Sequence, residues 1–307
     1  MRIAVVGTGG VGGGYGAALA KAGADVTFIA RGAHLAAMKE KGLRVESPRG
    51  DTHLLPTRAT DDPRTVGPVD VVLFCVKLWD VESAGEAISP MVGPNTAVIP
   101  LQNGIDASDR LAPIVGDQAV MGGVANISAT IAEPGVIRQT GTVMRIVFGE
   151  LDGRTSPRAE AFAAMVGAAG IDVVLSPSIV SELWMKFILL ASNSGIMGVA
   201  RLPIGKLRDD PDIAPWFATA YEEVAAVGRA AGVALPADAV ERTLHFNRVA
   251  PPSLIPSMAV DLLRGNRIEL PWLSGKVVEL GREHGVPTPT HAFIYAALKP
   301  YIMGKPA

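Results

Sequence analysis

The sequence predicts an α/β protein of two domains, with a parallel sheet in the first domain and only helices in the second. Residues 1–175 alternate short β-rich runs with helical patterns, which is typical of a parallel sheet covered by helices on both faces. The pattern changes at Ser176-Pro177-Ser178, and no clear strand follows. A chain of 307 residues also has the length of about two domains. We therefore expect one domain over 1–175 and a helical domain over 176–307.

The first domain is expected to build its sheet from the most apolar runs of the chain. The predicted strands are Arg2–Val6, Val26–Ile29, Val69–Val76 and Thr96–Pro100, and the predicted helices are Val11–Ala22, Val81–Met91 and Ala107–Ile114. Leu43–Leu55 holds Ser-Pro-Arg-Gly-Asp at its centre, which predicts a turn between two small strands. Two further strands, Val136–Gln139 and Val143–Phe148, flank Thr140-Gly141. They lie in a strand-rich stretch that begins at Val120 and predicts an antiparallel edge added to the sheet.

The second domain shows helical periodicity along its length. The predicted helices are Ile179–Val199, Ile213–Ala231, Ala237–Asn247, Ser257–Gly265, Leu273–His284 and Pro289–Leu298. We therefore expect an all-helical domain.

Composition excludes several classes of protein. Hydrophobic residues make up 49% and charged residues 19% of the chain, so it can bury a sizeable core. The net charge is −2 without any basic block, which argues against nucleic-acid and membrane partners. The single cysteine, Cys75, cannot form an intrachain disulfide, and the five histidines lack metal-ligand spacing, so no metal site is expected. The first residues read as a strand and not as a signal peptide, and we expect a cytoplasmic protein.

A glycine-rich turn follows the first predicted strand. Gly7-Thr8-Gly9-Gly10-Val11-Gly12 fits the G-x-G-x-x-G pattern at the start of a β–α–β unit. Gly7 allows the tight turn, Gly9 lets the backbone approach a pyrophosphate, and Gly12 allows close packing of helix on strand. A turn without a ligand is the alternative interpretation. The context favours a Rossmann-type dinucleotide-binding domain, with all six residues at the phosphates.

The end of the second strand predicts which dinucleotide binds. An NAD site usually carries Asp or Glu there, but this strand ends in Ala30-Arg31. A guanidinium binds a 2′-phosphate, so Arg31 favours NADP. Asp25 lies at the opposite end of the strand. The alternative is that Arg31 is an ordinary surface arginine.

Two polar residues follow strands at the edge where open parallel sheets bind ligands. Lys77 ends the apolar run of the third main strand, and Asn103 follows the next strand. Both are candidates for the ligand crevice. The alternatives are a charge at a strand exit for Lys77 and a simple Asn-Gly turn for Asn103.

Lys186 lies within an apolar helix. Apolar residues surround it on every helical face, so its ammonium needs a partner or a function. Glu182, four residues upstream, offers a local salt bridge. A catalytic role requires a second carboxylate from elsewhere in the chain.

Several separated stretches together resemble the ketopantoate reductase (2-dehydropantoate 2-reductase) family over essentially the whole chain. They are Gly7-Thr8-Gly9-Gly10-Val11-Gly12, Val76-Lys77, Gln102-Asn103-Gly104, Trp184-Met185-Lys186 and Ser257-Met258-Ala259-Val260-Asp261, with Glu269 eight residues later. The family combines an N-terminal Rossmann domain with a helical domain and reduces 2-dehydropantoate with NADPH in pantothenate biosynthesis.

The resemblance implies a role for each matching residue. Lys186 would be the general acid that protonates the alkoxide, and Glu269 would orient it or contact the substrate hydroxyl. Lys77 and Asn103 would lie at the nicotinamide and substrate end of the crevice. Ser257 would bind the substrate carboxylate. An exposed helix carboxylate is the alternative interpretation of Glu269.

The sequence departs from the family at one place. Well-known members carry asparagine four and eight residues after the lysine, where this chain has Leu190 and Ser194. Asn193, seven residues after Lys186, stays close to the same helix face. We therefore expect Asn193 and Ser194 to contact the substrate, beside a more apolar Leu190.

The leading hypothesis is NADPH-dependent reduction of a branched 2-oxo acid, with 2-dehydropantoate first and (R)-pantoate as product. One alternative is a reductase of a different 2-oxo or 2-hydroxy acid, which Leu190 and Ser194 motivate. The other is a non-catalytic NADP-binding regulatory protein. The oligomeric state is open, and a homodimer is compatible with the sequence.

Overall fold

The computed structural model describes residues 1–306 and divides into two compact units. The first unit comprises Met1–Gln102 and Asp106–Ile179. The second comprises Asn103–Ile105 and the chain from Val180 onward.

The first unit contains two five-stranded sheets. Its strands are β1 (Arg2–Val6), β2 (Asp25–Ile29), β3 (Leu43–Glu46), β4 (Thr52–Leu54), β5 (Ala59–Thr60), β6 (Val69–Phe74), β7 (Val92–Pro100), β8 (Met121–Glu133), β9 (Val136–Glu150) and β10 (Asp172–Leu175). Its helices are α1 (Gly10–Lys21), α2 (Gly32–Lys41), α3 (Val81–Ile88), α4 (Ala107–Val115) and α5 (Pro157–Ala168). The first sheet is parallel throughout, in the order β5-β2-β1-β6-β7.

The predicted strands and crossover helices of the first sheet are confirmed, with shifts of a few residues at their ends. The two small strands predicted within Leu43–Leu55 are also confirmed, as the antiparallel pair β3 and β4. Helices α2 and α5 were not predicted.

The antiparallel edge predicted for the first sheet is wrong. The residues from Met121 to Glu150 form β8 and β9, which pair antiparallel in a separate sheet. In that sheet β9 pairs antiparallel with β8 along most of its length, and it pairs parallel with β3 near its start and with β10 near its end. The chain turns between β8 and β9 at Pro134-Gly135 and not at Thr140-Gly141.

Thr140-Gly141 is a bulge within the long strand β9. Ile127 pairs with Met144 and Ala129 pairs with Gln139, so one residue of β8 faces four residues of β9. Gly141 has a φ of +79°, which lets the chain leave the ladder and return in the same direction. Local composition that resembles a turn thus produces a bulge, because the partner strand holds both sides.

Helix α1 lies between the two sheets and joins them into one core. It packs against β1 and β2 on one side and against β3, β8 and β9 on the other. The buried Tyr15 of α1 donates its hydroxyl to the Arg145 carbonyl at 2.7 Å and accepts the Asn126 N–H at 3.1 Å. These two bonds fasten α1 to the second sheet. They satisfy a phenol group whose burial would otherwise be costly.

The second unit is helical, as predicted. Its helices are α6 (Ile179–Ala200), α7 (Ala214–Ala230), α8 (Ala239–Val249), α9 (Ser257–Arg264), α10 (Ser274–Glu283) and α11 (Pro289–Leu298). Within residues 1–306, α6 is the one helix with the length and hydropathy that a membrane span needs. Its apolar residues Phe187, Ile188, Ala191 and Met197 are buried in the core of this unit. That position accounts for its apolar character.

The N-terminus of α11 is capped from a distant helix. The Glu223 carboxylate on α7 accepts the N–H groups of Thr290 and His291 at 2.8 and 3.0 Å. A carboxylate at this position also matches the helix dipole. This contact holds α7 and α11 together inside the second unit.

Candidate active site

The glycine-rich turn between β1 and α1 is anchored to the end of β2. The N–H groups of Gly7 and Thr8 both donate to the Ile29 carbonyl at 3.2 Å. Gly7 has a φ of +88°, and a Cβ there would lie 2.8 Å from the backbone of Cys75. The turn therefore needs glycine at this position both for conformation and for space.

Packing within the protein also explains why glycine is required at positions 10 and 12. A Cβ on Gly12 would lie 2.4 Å from the Gly7 carbonyl oxygen. A Cβ on Gly10 would lie 1.9 Å from the carbonyl oxygen of Ala129, because β8 crosses the start of α1. Any side chain at these two positions would displace backbone.

Gly9 differs from its neighbours, because nothing in the protein requires a glycine there. Its φ of −85° and ψ of −160° are open to any residue, and a Cβ added there would have no neighbouring atom within 4 Å. No side chain in residues 1–306 caps α1, so the first N–H groups of this helix have no side-chain acceptor. Free N–H groups beside an open glycine fit a dinucleotide pyrophosphate.

Arg31 lies at the end of β2, where it is the N-cap residue of α2 and is exposed. Asp25 lies at the opposite end of the strand and pairs with Arg58. The residues that directly follow β2, Ala30 and Arg31, thus offer a guanidinium and no carboxylate, which suits a 2′-phosphate.

His34 also belongs to this region, although the sequence analysis assigned it no role. The Gly135 N–H donates to its Nδ1 at 3.0 Å, so the neutral ring carries its proton on Nε2. Burial lowers the pKa of His34, while the backbone of Thr8 opposes that shift. His34 therefore contacts the glycine-rich turn from α2. No sequence motif predicts this role for His34, because its partners Gly135 and Thr8 lie far away in the sequence, in the β8–β9 turn and the β1–α1 turn.

The carboxyl ends of β6 and β7 carry Lys77 and Gln102. Lys77 is exposed, and its Nζ lies 5.5 Å from the centre of the Trp79 ring. Gln102 is buried and donates its side-chain N–H to the Phe74 carbonyl at 3.0 Å, which ties the two strand ends together. Asn103 is the next residue, is half-buried, and belongs to the second unit.

Lys186 and Glu269 are electrostatically coupled within the second unit. Burial lowers the pKa of the Lys186 ammonium to about 8, and the carboxylate of Glu269 opposes that shift. Glu269 is 4% exposed and opens a short 3-10 turn after α9, while Glu182 is exposed. The Ile268 N–H donates to the Ile302 carbonyl at 3.0 Å and fixes the backbone before Glu269. A buried carboxylate beside a lysine whose pKa is lowered is an arrangement suited to proton transfer.

Asn193, predicted to contact the substrate, makes two hydrogen bonds inside the second unit. Its side-chain oxygen accepts the Tyr221 hydroxyl at 2.5 Å, and its side-chain nitrogen donates to Asn247 Oδ1 at 2.8 Å. Asn193 is 2% exposed and Ser194 is fully buried, with no hydrogen-bond partner for its Oγ within residues 1–306. Both therefore lie in the interior of the second unit. Leu190 is half-buried, one turn of α6 beyond Lys186.

Ser257 is the first residue of α9 and is exposed. It follows Pro256, whose carbonyl accepts the Val260 N–H at 3.0 Å and closes the first turn. A serine in this position offers a hydroxyl and an N–H group that can donate hydrogen bonds to an anion.

Comparison with known proteins covers nearly the whole chain. The model of the ketopantoate reductase PanE/ApbA family matches residues 3–153, and the model of its C-terminal domain matches residues 178–301. The chain belongs to the ketopantoate reductase family. It is therefore an oxidoreductase acting on CH–OH groups, and NADP(H) is the cofactor of this family.

Three relatives illustrate the similarity of this family member. A 2-dehydropantoate 2-reductase from Halobacterium salinarum is 31% identical over 94% of this chain and 95% of its own. A Bacillus subtilis protein named uncharacterized oxidoreductase YkpB is 28% identical over 98% and 99%. The crystal structure of a PanE/ApbA family ketopantoate reductase from Ralstonia eutropha JMP134 has a TM-score of 0.90 at 32% identity, covering 98% of both chains.

Arg31→Ala is expected to weaken NADPH binding about tenfold and to leave NADH binding nearly unchanged. The reason is that only NADPH carries the 2′-phosphate with which the guanidinium would form a charge-assisted pair. Calorimetric titration with each cofactor checks this. Equal losses for both cofactors would show that Arg31 does not distinguish them.

Proposed function

We propose that this protein uses NADPH to reduce a branched 2-oxo acid, with 2-dehydropantoate as the first candidate and (R)-pantoate as its product. The observation that carries the proposal is the pair Lys186 and Glu269. A lysine with a pKa of about 8 exchanges its proton readily near neutral pH, and an adjacent carboxylate keeps much of it protonated.

In this proposal Lys186 acts on the oxygen of the reacting carbonyl. Bound NADPH supplies the hydride that adds to C2 of the 2-oxo acid. Negative charge then develops on the former carbonyl oxygen, where the Lys186 ammonium stabilises it. The Nζ proton passes to this oxygen, which gives the 2-hydroxy acid and leaves a neutral lysine for reprotonation from solvent. Glu269 holds Lys186 in its charged form before the transfer.

The remaining assignments concern the cofactor and the substrate carboxylate. We assign the pyrophosphate to the turn from Gly7 to Gly12 and the 2′-phosphate to Arg31. Lys77 and Asn103 are assigned to the nicotinamide and substrate end, and Ser257 to the substrate carboxylate. The open space at Gly9 and the exposure of Arg31, Lys77 and Ser257 support these assignments.

The environment of Lys186 also supports a second candidate, a 2-oxo acid that lacks the hydroxymethyl group. Leu190 lies one turn beyond Lys186 and offers no hydrogen bond. The side-chain oxygen of Asn193 already accepts a hydrogen bond from Tyr221, and its side-chain nitrogen donates one to Asn247.

A comparison of 2-dehydropantoate with 3-methyl-2-oxobutanoate separates the two candidates, since these compounds differ only by the hydroxymethyl group. We expect measurable NADPH oxidation with 2-dehydropantoate. Leu190→Asn should raise kcat/KM for 2-dehydropantoate relative to 3-methyl-2-oxobutanoate about tenfold, because the new amide can bond the extra hydroxyl.

Val180→Asn, on an exposed position of the same helix, is the matched control and should not alter that ratio. A wild-type preference of more than tenfold for 3-methyl-2-oxobutanoate would make the second candidate the substrate. Absence of turnover with both compounds would contradict both candidates.

A further inference from the structure

The first unit contains a groove of about 370 Å³ whose lining includes none of the residues assigned to cofactor or substrate. We call it the α1–α5 groove. Its lining consists of Gly14, Ala17, Ala18, Lys21, Ala22, Val45, Ser47, Arg49, Gly50, Thr52, Gln139, Met144, Ala168, Ala169 and Gly170. The lining begins at Gly14, about 7.5 Å along α1 from Gly9 at 1.5 Å per residue, and continues to Ala22 at the other end of the helix. The groove thus extends away from the helix N-terminus that is proposed to hold the phosphates.

The lining combines an apolar surface with positive charge. Ala18, Ala22 and Ala169 are partly exposed and supply the apolar surface, whereas Ala17, Val45 and Met144 are almost fully buried. Lys21 and Arg49 are exposed, and no carboxylate belongs to the lining. The neighbouring Asp51 accepts the Ser47 N–H at 3.0 Å. The groove thus carries two cations within its walls and one acid beside it.

The carbonyl groups at the helix ends that border the groove already accept hydrogen bonds within the protein. The Ala18 carbonyl near the end of α1 accepts the Ala22 N–H at 3.1 Å, and the Ala20 carbonyl accepts the Gly23 N–H at 3.0 Å. The Gly170 carbonyl after α5 accepts a hydrogen bond from the Arg49 guanidinium. Because these carbonyl groups already have donors, they do not need a cation from a ligand.

We propose that the α1–α5 groove binds a small organic anion with an apolar body. The volume suits a small molecule, and the lining offers polar and apolar surface in similar amounts, as an amphiphilic ligand requires. The anionic group would lie near Lys21 and Arg49, and the hydrocarbon part would cover the partly exposed Ala18, Ala22 and Ala169. Charge complementarity excludes a cationic amphiphile as the preferred ligand.

The test uses the enzyme saturated with NADP⁺, so that the dinucleotide site is filled. The fluorescent probe is 8-anilino-1-naphthalenesulfonate, which joins aromatic rings to a fixed anion. Octanoate is then titrated against the bound probe, and octyltrimethylammonium serves as the competitor of opposite charge. We expect saturable probe binding that octanoate displaces and that octyltrimethylammonium does not.

Two variants test whether the probe binds in this groove. Lys21→Glu reverses one charge and is expected to weaken probe binding about tenfold. Ala18→Phe fills the groove and should weaken it at least as much. Lys39→Glu makes the same charge change on an exposed position of α2 and is the matched control. Circular dichroism and NADP⁺ affinity verify that each variant is folded.

Probe affinity within twofold of the wild type in both folded groove variants would overturn the proposal. Equal displacement by octanoate and octyltrimethylammonium would also overturn it, because the groove would then not select for an anion. Weakened binding in Lys21→Glu with unchanged binding in Lys39→Glu would support it.

Discussion

Replacing Lys186 with alanine is expected to lower kcat by about 10²–10⁴-fold, the usual contribution of a general acid. The alkoxide formed at the substrate would have no positioned ammonium to stabilise and protonate it. NADPH affinity should change little, because the proposed phosphate site lies in the first unit. Stopped-flow measurement of NADPH oxidation with saturating 2-oxo acid, together with a cofactor titration, checks both expectations.

Two carboxylate variants distinguish catalysis from a helix salt bridge. Glu269→Ala should also reduce activity, since its charge raises the pKa of Lys186. Glu182→Ala, which removes an exposed carboxylate of the same helix as Lys186, should have a much smaller effect. If Lys186→Ala keeps full turnover while Glu182→Ala loses stability, the lysine is half of a local salt bridge. The proton donor would then have to be sought elsewhere, beginning with Lys77.

The pH dependence provides an independent check on Lys186. A general acid works in its protonated form, and burial lowers the pKa of this group to about 8. We therefore expect kcat/KM to fall as pH rises through about 8, approaching tenfold per pH unit above it. The residual activity of Lys186→Ala should lack this descent. A wild-type profile that is flat between pH 7 and about 10 would contradict the assignment.

Gly9→Val is expected to weaken NADPH binding about 100-fold or more, equivalent to about 2.8 kcal/mol. The side chain would enter the open space where the pyrophosphate should approach the backbone. The fold should survive, because the backbone conformation of Gly9 is open to any residue and no atom lies near the new Cβ. Calorimetry gives the affinity, and thermal unfolding reports on the fold.

Gly167→Val is the matched control for this experiment. Gly167 is exposed on α5, where a Cβ would meet only a Val173 methyl group at 3.8 Å. It should leave cofactor affinity unchanged. Undiminished NADPH affinity in folded Gly9→Val would show that the pyrophosphate does not bind at this turn.

Features that depend on residues close together in the sequence could be predicted from the sequence alone. The strands β1, β2 and β6 are short apolar runs, and the glycine-rich turn lies directly between a strand and a helix. The six helices of the second unit are visible from their periodicity alone. Helix α2 was missed because it has little amphipathic pattern, and α5 lies in an Ala-rich stretch without a clear one.

Features that depend on distant residues could not be predicted in the same way. Thr140-Gly141 has the composition of a turn, and only the pairing of β8 with both halves of β9 makes it a bulge. The requirement for glycine at Gly10 is of the same kind, since the obstructing carbonyl belongs to Ala129. A single sequence does not indicate that β8 pairs with both halves of β9 or that the Ala129 carbonyl lies close to Gly10.

The candidate site shows the same division. Lys186 stood out because a charge in an apolar helix is unusual, and the family resemblance pointed to Glu269. Asn193 satisfied the helical spacing for a substrate contact, yet Tyr221 and Asn247 occupy its amide groups. These partners lie on α7 and α8, so periodicity along α6 does not reveal them.

The position of α1 between two sheets has a consequence for synthesis of the chain on the ribosome. The glycine-rich turn and the strands β1, β2, β6 and β7 emerge early, whereas β8 and β9 are completed only at Glu150. Until then β8 and β9 do not fully cover one side of α1. The Tyr15 hydroxyl lacks both backbone partners until Asn126 is synthesised, and lacks the second until Arg145 follows. A nascent chain that ends before Glu150 therefore leaves this side of α1 without its complete native cover.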